Sequence, residues 1–341
     1  MTEVGLLELR GLRCRFASRG IPLIAPGTTV HAVDGVDLTI APGEILGLVG
    51  ESGCGKSTLA KALMGLGDYQ AETMRFAGQD IRAPLYRRPR DLLRRIQYVF
   101  QDPLDALDPR RSVLYQVAEP LLIHGLASGG EREARARAAL RDVNLGEDIE
   151  AKFPHQLSGG QRQRVVIARA LVLAPEVLIC DEPVSALDVS IQAQVVNLLR
   201  DLRDRRALTI LFISHDLGLV RHLCDRVAVM YLGRICETGP IGPLFERPRH
   251  PYTQALVAAI PPPHPRLRKP PKRLIGEPPR PGSPPPGCRF HPRCPLCEAA
   301  CRTEPPALLP IVGAQRVGAQ HVGVQQSVAC HVARRGEALP C

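Results

Sequence analysis

Nine consecutive residues constrain this chain more than any others: Gly50-Glu51-Ser52-Gly53-Cys54-Gly55-Lys56-Ser57-Thr58, an unbroken match to G-x-x-x-x-G-K-[ST]. Before them, Ile45-Leu46-Gly47-Leu48-Val49 is short, apolar and strand-like; after them, Leu59, Ala60, Leu63 and Leu66 recur at helical spacing. A strand that runs into a glycine-rich turn and opens a helix accommodates both flanks. In such a turn successive backbone N–H groups face phosphate oxygens, and the helix N-terminus adds partial positive charge. Lys56 is placed to reach the β- and γ-phosphates, and the Ser57 hydroxyl to ligate Mg²⁺. A plain glycine turn before an ordinary helix is the bland alternative, and the agreement of both flanks argues against it. The pattern implies a nucleoside triphosphate site.

The rest of the chain supplies a fold around that site. Val36, Leu38 and Ile40 alternate with Asp37 and Thr39, as in a half-buried strand ahead of the Pro42-Gly43 turn. Ile96-Gln97-Tyr98-Val99-Phe100 reads as another strand, ending at Gln101. Residues from about 111 to 172 are helix-rich, with a polar break at Ser128-Gly129-Gly130 and a charged helix through 131–142. Strand patterns return at Val177-Leu178-Ile179-Cys180, at residues 208–213 and at residues 227–231, and Ile191, Val195, Leu198, Leu199 and Leu202 form one helix face. Strands alternating with helices predict an α/β fold with a parallel sheet and ligands at the carboxyl ends of its strands. Between residues 261 and 286 proline is too dense for helix or sheet, so the main domain is expected to span 1–260 and a C-terminal extension 261–341.

Two further stretches complete the site. Asp181-Glu182 ends an apolar strand, where Asp181 can hold Mg²⁺ opposite Ser57 and Glu182 can polarise a water as general base. Leu157-Ser158-Gly159-Gly160-Gln161 places a serine cap and two glycines ahead of a helix running to Leu171, a second anion-binding helix N-terminus. One triphosphate does not need two such cradles in one chain, so the second is expected to complete the site of a partner subunit.

These motifs resemble the ATP-binding subunit of an ABC transporter, over roughly residues 6 to 260. The resemblance implies a P-loop NTPase core with an N-terminal antiparallel β subdomain and an inserted α-helical subdomain at about 101–172. It assigns Phe16 to stacking on adenine, residues 50–58 to the Walker A loop and Gln101 to sensing Mg²⁺ and water. Ser158, Gly159, Gly160 and Gln161 match the signature motif, Asp181 and Glu182 the Walker B aspartate and catalytic glutamate, Ser185-Ala186-Leu187-Asp188 the D-loop, and His215 the switch histidine at the γ-phosphate. Phe100-Gln101-Asp102-Pro103, the run from Cys180 into Val189-Ser190-Ile191-Gln192, and Arg249-His250-Pro251-Tyr252-Thr253 are similar to the dipeptide/oligopeptide importer branch, most closely its F-type ATPase. That branch also takes nickel, glutathione and other small solutes. It pairs two ATPases, expected to be paralogues, beneath two transmembrane permeases fed by an extracytoplasmic solute-binding protein. Soluble ABC-type ATPases acting on ribosomes or DNA carry tandem cores or a long coiled-coil insert, and this sequence has neither.

Charge and cysteine content bear on location and cofactors. No run of about 18 apolar residues is present, and Met1-Thr2-Glu3-Val4 opens without a basic and apolar leader, so the chain is expected at the cytoplasmic face of the inner membrane as a peripheral subunit. The net charge of +10 is mostly arginine. Its densest group, Arg87, Arg88, Arg90, Arg94 and Arg95, reads as a solvated basic face beside lipid headgroups, without the aromatic platform that nucleic-acid binding needs. Six of eleven cysteines fall between Cys288 and Cys341. Gly287-Cys288-Arg289-Phe290-His291-Pro292-Arg293-Cys294 is similar to the importer branch's C-terminal extension. Cys288, Cys294, Cys301 and Cys330 could supply four thiolates to a [4Fe–4S] cluster or to Zn²⁺, or stand as reduced thiols; the wide spacing favours a cluster, and Cys297 makes the ligand set ambiguous.

Overall fold

The computed structural model describes residues 5–17, 29–260, 276–277, 279, 282–311 and 325–333. Strands β1 (Leu7–Ala17) and β2 (Thr29–Ile40) pair antiparallel, from Leu7 opposite Ile40 to Ala17 opposite Thr29. The alternation at the end of β2 does what its pattern predicts: Val36, Leu38 and Ile40 are buried and Asp37 is exposed. Strand β3 (Ile45–Val49) is buried throughout and delivers the chain through the phosphate loop into α1 (Lys56–Leu63). That helix is shorter than the leucine spacing implies, for its C-cap is Met64 and Leu66 lies beyond the end, 37% exposed. β4 (Tyr69–Gln70), β5 (Thr73–Phe76) and β6 (Gln79–Asp80) complete an antiparallel sheet of order β2-β1-β5-β6, with β4 on β1.

Helix α2 (Arg90–Arg95) leads into β7 (Ile96–Val99), and α3 (Pro103–Ala106), α4 (Val113–Ile123), α5 (Gly129–Asp142) and α6 (Gly159–Leu171) pack on one another. The polar break narrows to Ser128, the N-cap of α5, because both following glycines are already helical. Then come β8 (Val177–Asp181), α7 (Val189–Arg206), β9 (Thr209–Ser214), α8 (Leu217–Leu223), β10 (Arg226–Tyr231), β11 (Arg234–Pro240), α9 (Ile241–Glu246) and α10 (Pro251–Ala258). The main sheet runs β10-β3-β9-β8-β7, all parallel, with β11 antiparallel at the β10 edge.

A parallel sheet covered on both faces needs apolar side chains at successive positions, and β3, β8 and β9 are buried at every residue. Pleating sends alternate residues to two different cores. Leu46, Leu48, Val177, Ile179, Leu211 and Ile213 face α1 and the antiparallel sheet. Ile45, Val49, Leu178, Cys180, Ile210 and Phe212 face the helices that follow β7.

The proline-rich stretch 261–286 lies largely outside the described residues, but the chain beyond it joins this body. Helix α11 (Ala299–Thr303) comes first, and short strands β12 (Leu309–Pro310) and β13 (Ser327–Val328) then extend the main sheet past β11. Phe290 is 2% exposed, its ring centroid 5.3 Å from Tyr231, 5.5 Å from Tyr252 and 5.6 Å from His250. Gln326 donates to the Glu237 carboxylate of β11 at 2.7 Å. The extension therefore borrows the main core, adding only a small one of its own around Val328, Cys330, Val332 and Ala333. Phe290→Ala should lower unfolding stability by about 3–5 kcal/mol, the usual cost of emptying a buried aromatic position. Chemical denaturation checks this: an unchanged main transition would mean the extension folds apart from the body.

Candidate functional site

The cleft is assembled where β3, β7, β8 and β9 end. Gly55, at φ +110, is the N-cap of α1, and a Cβ there would sit 2.1 Å from the Ala32 carbonyl oxygen. Only glycine allows both the left-handed turn and the close approach. Lys56 and Ser57 open the helix, with Thr58 half-buried beside them and Ser52 and Gly53 exposed at the loop tip. The Lys56 ammonium, 4% exposed, donates to the carbonyls of Gly50 (2.8 Å) and Glu51 (3.1 Å) and stands 4.0 Å from the Glu182 carboxylate. Burial pushes the Cys54 thiol up, so the loop carries it neutral.

Asp181 is the last residue of β8 and buried. It accepts from the Ser57 hydroxyl at 2.9 Å and from the Tyr98 hydroxyl at 2.6 Å, one on each oxygen. Burial, and then the bond to Asp181, raise the Tyr98 pKa far above the ordinary tyrosine value, keeping it a donor. Glu182 follows with φ +47, its N–H donating to the Ile213 carbonyl at 3.0 Å. A left-handed glutamate stores about 1 kcal/mol of strain, of the kind met at functional sites. Its carboxylate meets His215 Nδ1 at 3.1 Å and Gln101 Nε2 at 3.4 Å. Ser57, Tyr98, Gln101, Asp181 and Ser185 line a cleft of about 390 Å³. The arrangement combines a loop able to grip phosphates, a pair of oxygen donors suited to a hard cation and a carboxylate placed to orient water.

Other sequence-marked residues lie apart. Ser158 caps α6, accepting from the Gln161 N–H at 3.3 Å while the Gln161 amide oxygen accepts from the Ser158 N–H at 3.0 Å. Ser158 and Gly159 are exposed, and among the described residues no hydrogen bond or ion pair ties residues 158–161 to the phosphate loop. Backbone freedom is not what the glycines provide, since neither has positive φ. Gly160 instead lets α7 approach: a Cβ there would lie 2.6 Å from Ile191 Cγ2. Asp188 is the N-cap of α7, its carbonyl accepting from the Ile191 N–H at 2.9 Å. Phe16 is 45% exposed, opposite Val30, and none of the ring contacts among the described residues joins it to the loop. The basic surface does hold an aromatic: Tyr86, 80% exposed, lies under the Arg87 guanidinium at 5.5 Å.

Of the three readings of the cysteines, neither the cluster nor zinc gains support among the described residues. The Cys294 thiol is within electrostatic range of Cys288, Cys301 and Cys330, and the Cys288 N–H donates to the Cys301 carbonyl at 2.9 Å. Yet among the described residues no three His, Cys, Asp or Glu side chains form a group able to hold a metal. Burial pushes Cys288 up to about 11 and Cys294 up to about 12, so without a metal both stand as neutral thiols. As arranged among the described residues, Cys288, Cys294, Cys301 and Cys330 give no support to an iron–sulfur cluster or zinc. Cys297 stands half-buried, its thiol donating to the Glu298 carbonyl at 3.6 Å.

Against known proteins, the ABC transporter family profile matches residues 33–185, and the profile for the oligopeptide/dipeptide transporter C-terminal region matches residues 236–301. The Pseudomonas aeruginosa di/tripeptide transport ATP-binding protein DppF is 46% identical over 306 residues, covering 90% of this chain and 91% of that one. A Brucella ovis protein named for peptide import is 48% identical over 308 residues, covering 90% and 95%. This chain belongs to the ABC transporter family. As an ABC ATPase it binds and hydrolyses ATP. Its fold is that of the solved ABC transporter cassette MJ0796, dimeric and bound to ADP and Pi, at TM-score 0.59 and 28% identity over 69% of this chain and 98% of that one. No helix among the described residues is long and apolar enough to cross a membrane.

The sequence reading of this ABC ATPase passed over Tyr98, whose signal was a polar-tipped aromatic three residues before Gln101 on a strand leading into the site. It also missed that Gly160 packs on Ile191. Gly160→Ala should cost about 1–3 kcal/mol of local packing and cut ATP turnover, and adding Ile191→Ala should recover part of both. Paired stability and ATPase measurements on the single and double variants check this; strictly additive losses would refute the contact.

Proposed function

We propose that this chain is the ATP-hydrolysing subunit of an importer for di- and oligopeptides or related small solutes, working as half of a nucleotide-sandwich pair. Residues 1–260 form the ATP-binding domain, about 101–172 its helical arm, and 261–341 the C-terminal extension. The observation that carries the reading is that contacts link Lys56, Gln101 and His215 to Glu182, and Ser57 to Asp181, while among the described residues no hydrogen bond or ion pair ties the capped helix end at residues 158–161 to them. Two phosphate-binding elements that do not meet within one copy are what a site shared between two copies requires. The dimeric cassette that shares the fold supports that assembly. Peptide cargo is supported by the names of the Brucella and Pseudomonas relatives, and the F-type assignment by the Pseudomonas name DppF alone.

In this reading Phe16 stacks on adenine, and Gly50, Glu51, Ser52, Gly53, Cys54, Gly55, Lys56, Ser57 and Thr58 cradle the phosphates. Ser158, Gly159, Gly160 and Gln161 close over the partner's nucleotide, with Asp188 at the seam. Ser57, Asp181 and Gln101 offer the oxygens that suit Mg²⁺, which when bound neutralises phosphate charge. Glu182 accepts the proton of the attacking water, and His215 and Gln101 hold that carboxylate in place, so the protein's contribution is positioning and electrostatics. A paralogous second ATPase, two membrane permeases and an extracytoplasmic binding protein complete the assembly, with this subunit at the cytoplasmic face of the inner membrane. Among the described residues there is neither a second ATPase core nor a long coiled coil to favour action on ribosomes or DNA.

Glu182→Gln, placed in the assembled transporter, should lower ATP turnover at least ~10²-fold while nucleotide stays bound and the ATPase pair stays closed. Turnover assays with size analysis in ATP check this. Normal hydrolysis by that variant would remove Glu182 from the role of base.

A further inference from the structure

Among the described residues, the hydrogen bonds and ion pair between the C-terminal extension and the phosphate loop join Arg293 to Glu51. The Glu51 N–H donates to the Tyr252 hydroxyl at 2.8 Å. Its carbonyl accepts from the Lys56 ammonium at 3.1 Å. Its carboxylate is held by both ends of the Arg293 guanidinium, at 2.9 and 3.1 Å. Arg293 also donates to the Tyr231 hydroxyl at 3.3 Å, and its side chain is only 6% exposed. Four residues earlier Arg289, also buried, pairs with Asp34 and with the Leu232 carbonyl. Next to Leu232, the Gly233 N–H donates to the Cys54 carbonyl at 2.8 Å. Phe290, buried against Tyr231 and Tyr252, holds the two arginines in place between these contacts.

A half-buried ion pair adds little net stability compared with apolar packing, and among the described residues Arg293 Nε has no hydrogen-bond partner, so maximal stability is not what this arrangement optimises. A two-pronged guanidinium–carboxylate contact does fix orientation. Moving Glu51 would move the carbonyl that holds Lys56.

We infer that Arg293 is a positioning residue for the phosphate loop, so that ATP affinity depends on the extension being docked through its contact with Glu51. Freed from Arg293, the loop would have to be ordered by the nucleotide itself, and binding would bear that entropic cost. The inference rests on residues 50–58 being the ATP site. It gives the extension a route for acting on the motor: whatever displaces residues 287–294 loosens the grip on nucleotide.

The test uses the full-length chain in its assembled transporter, with ATP KM and kcat from steady-state hydrolysis and Kd from a fluorescent ATP analogue. Arg293→Met should raise KM and Kd about tenfold, corresponding to ordering roughly one residue on binding, and leave kcat within about twofold. Glu51→Gln should raise KM and Kd to a similar extent, Arg293→Lys should recover part of the affinity, and the Glu51→Gln/Arg293→Met double variant should bind ATP no worse than either single one. Should Arg293→Met fail to fold, Glu51→Gln and Arg293→Lys carry the same comparison. Unchanged KM and Kd, or additive losses in the double variant, would overturn the inference. Lys56→Ala separates the two readings: if it binds nucleotide as the wild type does, residues 50–58 are not the ATP site, whereas if it loses binding and Arg293→Met does not, only the role of Arg293 falls.

Discussion

The structure depends on the register of three parallel strands. β3 pairs with β9 so that Val49 lies opposite Ser214, and β9 pairs with β8 so that Ile213 lies opposite Asp181. Those pairings bring the start of the phosphate loop, the Asp181-Glu182 pair and His215 to one edge, although they are far apart along the chain. A parallel ladder shifted by one residue would turn each side chain to the opposite face, which the two cores forbid because each takes alternate residues of the same strands. Packing therefore sets the register, and the register sets the site.

From that edge the site follows with little freedom. Glu182 is forced into the left-handed region, where its N–H still finds the Ile213 carbonyl and its carboxylate turns toward His215, Gln101 and Lys56. Tyr98 arrives on the neighbouring strand β7 and occupies the Asp181 oxygen that Ser57 does not. The helical arm then carries its capped N-terminus elsewhere, tied to α7 by the fit of Gly160 on Ile191. That contact joins the capped end of α6 to the helix that follows the Asp181-Glu182 segment, so the two regions are mechanically linked within one chain.

The C-terminal extension changes the picture of a catalytic body with an appendage. It adds two short strands to the sheet, buries Phe290 among tyrosines and seats two arginines against Asp34 and Glu51. Its cysteines converge without making a metal-holding group among the described residues. Thiol spacing alone could not foresee this, because the arrangement depends on how the extension lies on β11 and α10 rather than on the intervals between cysteines.

Much of the site was legible in the sequence because its motifs are local: a turn, a cap or a strand end needs only neighbouring residues. Residues 50–58, Asp181-Glu182 and the Ser158 cap could be read that way, as could the alternation in β2. The sequence also determined the parallel α/β class, since unbroken apolar strands can be satisfied only by cover on both faces. What only the tertiary structure decided were contacts between distant segments: Tyr98 on Asp181, Gly160 against Ile191, Arg293 on Glu51, and the approach of the tail cysteines to one another. Periodicity says which side of an element is buried; what it is buried against depends on packing in three dimensions, and no short stretch of residues contains that information.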